Sequence, residues 1–158
     1  MDPTDLLLLR RAIAISQQAR DHGNHPFGAL LVDAQRQVLL EAENTVVTEQ
    51  DCTGHSETNL MRLASRRFAP DVLATCTLYS SAEPCAMCAG AMHWGNLGRL
   101  VYGVSALRLY ELLGPDPDLL QLPCREVFAR TLRPIEVIGP ALEDEALAVH
   151  TGFWQLGT

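Results

Sequence analysis

Apolar positions recur at helical spacing near the start of the chain. Leu8, Ala12, Ile15 and Ala19 share one face of a helix predicted over 4–20, with Thr4 as its cap. A turn cluster, Asp21-His22-Gly23-Asn24-His25-Pro26, ends it. The runs 27–32 and 37–43 read as strands joined by a short polar loop, hence a hairpin. Residues 44–54 are polar and read as a loop. The run 55–67 places Leu60, Leu63 and Ala64 on one face and ends in arginines, which suit a helix C-terminus. A short strand is predicted over 75–80. Pro84 and Gly95 bracket a further helix over 85–94. Strands follow at 99–104 and 135–138, a mixed helix-and-loop stretch at 105–125, and a last helix at 141–150. Five strands interleaved with helices after an opening hairpin predict an α/β domain of three layers, a mixed sheet with helices on both faces.

The length, 158 residues, suits one domain over 1–158, and no repeat or low-complexity tract divides it. No apolar run reaches the ~20 residues a membrane helix needs, and the acidic start is unlike a secretory signal. Charge narrows the chemistry. The 12 basic residues are all arginine, so Schiff-base and phosphate-loop lysines are excluded. The net charge is −7. After residue 100, four arginines (108, 125, 130, 133) meet eight acids (111, 116, 118, 126, 136, 143, 144, 145), a balance of −4. A nucleic-acid partner needs a basic face, so this balance argues against one. Five cysteines, an odd number without a secretory signal, point to a reducing cytoplasm rather than a disulfide framework.

Two strings carry candidate chemistry, His55-Ser56-Glu57 and Pro84-Cys85-Ala86-Met87-Cys88. Cys85 and Cys88, three apart at a helix start, share a face where thiolates are favoured. His55 opens the preceding helix and can add a nitrogen ligand. Three ligands leave tetrahedral zinc an open position, the mark of a catalytic site. Two thiolates already cancel the metal's charge, so a carboxylate proton acceptor is needed beside it, and Glu57 is the candidate. Other readings of the same residues are a Cys-x-x-Cys redox pair and a closed structural zinc completed by Cys52, Cys76, Cys124 or another histidine. His55 and Glu57 can also be plain helix-start residues.

The pattern His-x-Glu followed by Pro-Cys-x-x-Cys resembles the zinc-dependent deaminases of the cytidine deaminase-like superfamily. Within it the chain looks like the branch holding guanine, cytosine and tRNA adenosine deaminases. The likeness rests on Pro26-Phe27-Gly28-Ala29, Asn44, 51–57 and 83–91. Two departures are Ser56, where the family usually has Ala or Gly, and Cys52, where many relatives have Pro. The resemblance implies the cytidine deaminase-like fold with a mixed five-stranded sheet. It implies one zinc per chain on His55, Cys85 and Cys88, with Glu57 as the catalytic residue that takes and returns protons during hydrolytic release of ammonia. It further implies substrate contacts at Asn44, Phe27 and Trp94, with Phe153 and Trp154 as C-terminal aromatics that close a site. The expected substrate is a small nucleobase or nucleoside, a purine such as guanine first. A tRNA adenosine and cytosine are the alternatives, as is a non-catalytic zinc module. The acidic segment Glu143-Asp144-Glu145 disfavours the tRNA reading. Relatives suggest a homodimer.

Overall fold

The computed structural model describes residues 1–154. Helix α1 spans Pro3–Asp21, followed by strands β1 (Gly28–Val32) and β2 (Val38–Glu43). A short helix α2 (Val46–Glu49) precedes α3 (Ser56–Arg67) and α4 (Pro70–Leu73). Then come β3 (Thr77–Ala82), α5 (Ala86–Trp94), β4 (Arg99–Val104), α6 (Ala106–Leu113), α7 (Cys124–Phe128), β5 (Glu136–Ile138) and α8 (Glu143–Ala148). The five strands form one sheet in the order β2-β1-β3-β4-β5. β1 runs antiparallel to β2 and β3, while β3, β4 and β5 are parallel. The expected mixed five-stranded sheet is therefore present.

β1 shows why both faces are covered. All five of its residues are buried. Alternation sends Ala29 and Leu31 into one core and Leu30 and Val32 into the other. The first core packs α3, α5 and α7 through Leu60, Ala64, Met92 and Phe128. The second packs α1, α6 and α8 through Leu9, Ala12, Leu109 and Ala146. Gly28 lets α1 lie close on β1: a Cβ there would sit 2.4 Å from the Ser16 amide nitrogen.

The α1 cap differs from expectation. Asp2, not Thr4, is the N-cap, in a reciprocal box with Asp5, and Pro3 takes the first helical position. Asp5 has a second role. Its side chain, 2% exposed, accepts hydrogen bonds from Tyr79 Oη (2.6 Å), Arg36 Nη1 (2.6 Å) and Arg99 Nη2 (2.9 Å). Burial alone would raise its carboxyl, but the bonds from Arg99, Tyr79 and Arg36 overcome this and hold it well below the usual carboxylate range. Stability from this group is fully present above the unfolded pKa near 4 and is lost as pH falls below it. Asp5→Ala should cost about 3–5 kcal/mol in urea unfolding, because buried Tyr79 and the arginines lose their shared acceptor. The same variant should flatten the loss of stability in acid.

The parallel strands β3 and β4 end at Ala82 and Val104, and the chain turns from them into Glu83-Pro84-Cys85 and Ser105-Ala106. The starts of α3 and α5 lie at this same edge, where α/β sheets place their ligands.

Candidate active site

His55 and Cys85 are both N-cap residues, of α3 and α5. Their extended backbone lets each side chain project from a helix tip rather than along a helix face. Cys88 sits one turn into α5 and is fully buried. His55 Nδ1 lies 3.5 Å from Cys85 Sγ and 3.6 Å from Cys88 Sγ. One ligand atom from each residue falls within 4.8 Å of the others, a group that could hold a metal ion.

Geometry and charge both fit zinc. Tetrahedral bonds of about 2.3 Å to sulfur and 2.0–2.1 Å to nitrogen place S and N about 3.5 Å apart, as here. Without a cation the two thiols oppose each other. The hydrogen bond from Cys88, then that with His55, draws the Cys85 thiol toward the thiolate against its burial. Cys88 is driven the other way by its bond to Cys85, by burial and by Glu57. A divalent cation removes that conflict. Cys52, Cys76 and Cys124 are free thiols outside this group, so among the described residues no fourth thiolate closes it.

Glu57, in the first turn of α3, is 4% exposed. Its Oε1 accepts from Ser80 Oγ at 2.7 Å and its Oε2 from Ser56 Oγ at 3.0 Å. Oε2 also lies 3.6 Å from Cys88 Sγ. The carboxylate is thus fixed by two hydroxyls beside the metal group. Ser56, a departure from the resemblance, supplies one of them. Ser80 comes from β3, and Thr58 Oγ1 sits 3.3 Å from Cys88 Sγ. Neither Ser80 nor Thr58 stands out in the sequence, since both lie inside apparently ordinary strand and helix runs.

His55, Glu57 and Cys85 line a cavity of about 660 Å³. Phe27, His25 and Tyr110 also line it, and Leu113, residues 115–120 and Trp154 form its outer wall. Phe27 and Trp154 reach the cavity. Phe153 does not: it packs edge-on to Trp154 at 4.9 Å, under the Arg20 guanidinium, and serves to dock the tail. His150 anchors this cluster. Its Nδ1 accepts from Trp154 Nε1 at 3.1 Å, and its ring meets Phe27 at 5.1 Å. Burial, with Arg20 nearby, pushes its pKa down to about 4, so it packs as a neutral ring.

Two residues expected as substrate contacts are not among the lining of this cavity. Trp94 is 86% exposed and lines no part of the cavity. It stands six residues beyond Cys88, and at about 100° per residue that carries it to another side of α5. Asn44 is buried, with its Oδ1 accepting the Val46 amide at 3.0 Å in a turn that starts α2. His25, read only as a turn residue, does reach the cavity and lies 5.2 Å from the Trp154 ring.

The comparisons with known proteins agree with this geometry. Residues 3–104 match the family described as the cytidine and deoxycytidylate deaminase zinc-binding region. The chain is 43% identical over 156 residues to a Schizosaccharomyces pombe protein named a probable cytosine deaminase, covering 97% of this chain and 94% of that one. It is 36% identical over 101 residues to a tRNA-specific adenosine deaminase of Haemophilus influenzae, covering 64% and 58%. The fold is that of a guanine deaminase from Nitrosomonas europaea, with a TM-score of 0.75, 23% identity, and 94% and 82% of the two chains covered. With a zinc-fitting His55–Cys85–Cys88 group, a clamped Glu57 and a family match over residues 3–104, the chain belongs to the cytidine and deoxycytidylate deaminase zinc-binding family.

Proposed function

We propose that the protein hydrolytically deaminates a small, unphosphorylated nucleobase or nucleoside, with a purine ring such as guanine as the first reading. The observation that carries this is the cavity itself. It brings the clamped Glu57, with His55 and Cys85 of the metal group, together with the carboxylates of Asp116 and Asp118. Such a lining accepts a neutral ring and repels phosphate. Its volume of about 660 Å³ leaves room for a bicyclic ring with or without a sugar.

Zinc on His55, Cys85 and Cys88 would act as a Lewis acid that makes water a competent nucleophile near neutral pH. The remaining work falls to the chain. Glu57 takes a proton from the attacking water and hands it to the ring nitrogen, then takes the second proton from the new hydroxyl and delivers it to the departing amine, so that ammonia leaves and a carbonyl remains. Ser56 and Ser80 keep its two oxygens aimed during these transfers. Phe27 offers a face for the ring, and Trp154 covers the cavity from the tail side.

A cytosine substrate is the second reading, favoured by the likeness to the S. pombe protein over 97% of the chain. A homodimer is part of the same proposal. It is supported by the exposed Trp94 on α5, an aromatic anchor of the kind partner surfaces bury. The five free cysteines support a reducing, cytoplasmic setting. The test is a set of kcat/KM values for guanine, guanosine, guanosine monophosphate, cytosine, cytidine and a tRNA anticodon stem-loop. Guanine or guanosine should lead, with the phosphorylated substrates at least tenfold behind. Leading activity on cytosine would select the second reading. Efficient, salt-sensitive deamination of the stem-loop would overturn the proposal.

A further inference from the structure

The outer wall of the cavity, residues 106–123, has little core of its own. Within α6 only Leu109 is buried, and Leu107, Leu112, Leu120 and Leu122 are exposed. Yet this stretch supplies Leu109, Tyr110 and residues 115–120 to the lining. Leu109, with Tyr110 and Leu113 beside it, ties α6 to the second core, but residues 114–123 belong to neither core and need another restraint.

Both ends of the stretch converge on one carboxylate. The Ala106 amide donates to Glu83 Oε2 at 3.0 Å, and the Cys124 amide donates to Glu83 Oε1 at 3.1 Å. Ala106 is the first residue of α6 and Cys124 the first of α7. Amides at helix starts are unpaired within their helix and face an acceptor with the favourable end of the dipole. Glu83 is itself held firmly. Its amide donates to Val104 O at 2.8 Å, and Pro84 and then Cys85 follow it. One side chain thus joins the loop bearing a metal-binding thiol to both ends of the cavity wall.

We infer that Glu83 is a positioning residue that clasps the 106–123 wall over the cavity and so sets how tightly substrate is held. The inference rests on reading the cavity as the substrate pocket. It assigns Glu83 no part in proton transfer. Each hydrogen bond to an ionised carboxylate is worth on the order of a tenfold to hundredfold in an opening equilibrium. Loss of the clasp raises the apparent dissociation constant through the fraction of open wall, and KM with it, while kcat is spared.

Two variants of the zinc-loaded protein test this. In Glu83→Gln one oxygen still accepts, while the new amide group opposes the other backbone N–H. Ala106→Pro leaves Glu83 in place and removes one donor. Proline is tolerated there because Ala106 is the first helical residue and Ser105 is already extended (φ −68°, ψ 150°). In both variants amide hydrogen exchange across 107–124 should quicken about tenfold or more, with zinc content and exchange in the sheet unchanged. KM should rise about tenfold with kcat within threefold. The double variant should show less than the product of the two effects, because with the Ala106 N–H gone the glutamine oxygen can serve the Cys124 amide. Full additivity would mean that the proline acts only by its bulk and would overturn the clasp. Unchanged exchange in Ala106→Pro would overturn it too, whether or not Glu83→Gln folds. So would zinc loss in Glu83→Gln, a fall in kcat at constant KM, or faster exchange with an unchanged KM. Should the wild-type protein turn over no nucleobase or nucleoside, the proposed function fails. Hydrogen exchange and zinc content still decide the clasp.

Discussion

Glu57→Gln should lower kcat by about 10⁴-fold or more while leaving zinc content and fold intact. Glutamine is nearly isosteric, and its oxygen can still accept from Ser80 or Ser56. It cannot accept or return a proton. General acid–base catalysis alone contributes typically 10²–10⁴-fold, and Glu57 acts in at least two transfers, which sets the expectation at the top of that range. Substrate binding should survive, because Phe27, Trp154 and the His55–Cys85–Cys88 group are untouched. Metal analysis, an equilibrium binding assay and single-turnover kinetics read the three quantities separately. Loss of zinc would make Glu57 a ligand, and near-normal turnover would demand another base.

The second large effect is expected at the thiols. Cys88→Ala removes a fully buried sulfur whose neighbours are Cys85, His55, Glu57 and Thr58. Zinc should be lost and activity with it. Metal binding is also folding free energy, so the melting temperature should fall together with the metal content. Cys85→Ala should match it in zinc and activity. Its cost in stability should be smaller, since Cys85 is only partly buried and Cys88 lies in the core. Chelation of the wild-type protein should reproduce both losses, and added zinc should restore them. Full zinc occupancy in either variant would show that the ligands are elsewhere.

The sheet was legible in the sequence because its strands obey simple rules. The opening hairpin followed from two apolar runs around Asp33–Arg36, and the doubly buried β1 from its unbroken Gly-Ala-Leu-Leu-Val. β3 was placed two residues early because it ends in Ser80-Ser81-Ala82, polar residues that are nonetheless buried beside the site. There Ser80 serves Glu57, and Ser81 Oγ accepts the Gly28 amide. The Asp2 cap was missed because Thr4 sits nearer the apolar stripe. His55, Glu57, Cys85 and Cys88 could be found because motif spacing at two helix tips encodes their meeting.

The cavity wall could not be found that way. Residues 105–125 read as a mixed helix-and-loop stretch, and only folding brings 115–120 to the same cavity as Glu57. Glu83 shows the limit most clearly. Its partners are backbone amides 23 and 41 residues away, and a backbone amide has no signature in the sequence. The meeting of Trp154 with His25 is of the same kind, a contact between chain ends far apart in sequence. Trp94 stays outside the cavity lining for a local reason. A motif neighbour six residues along a helix does not share the motif's face.

The central claim is that the His55–Cys85–Cys88 group with Glu57 is an open catalytic centre and not a closed structural one. The most direct measurement is ammonia release from guanine, guanosine, cytosine and cytidine, with zinc titrated into the metal-free protein. The rate on at least one of them should rise in proportion to zinc and level off at one zinc per chain. Full occupancy with no ammonia from any of the four would contradict the claim.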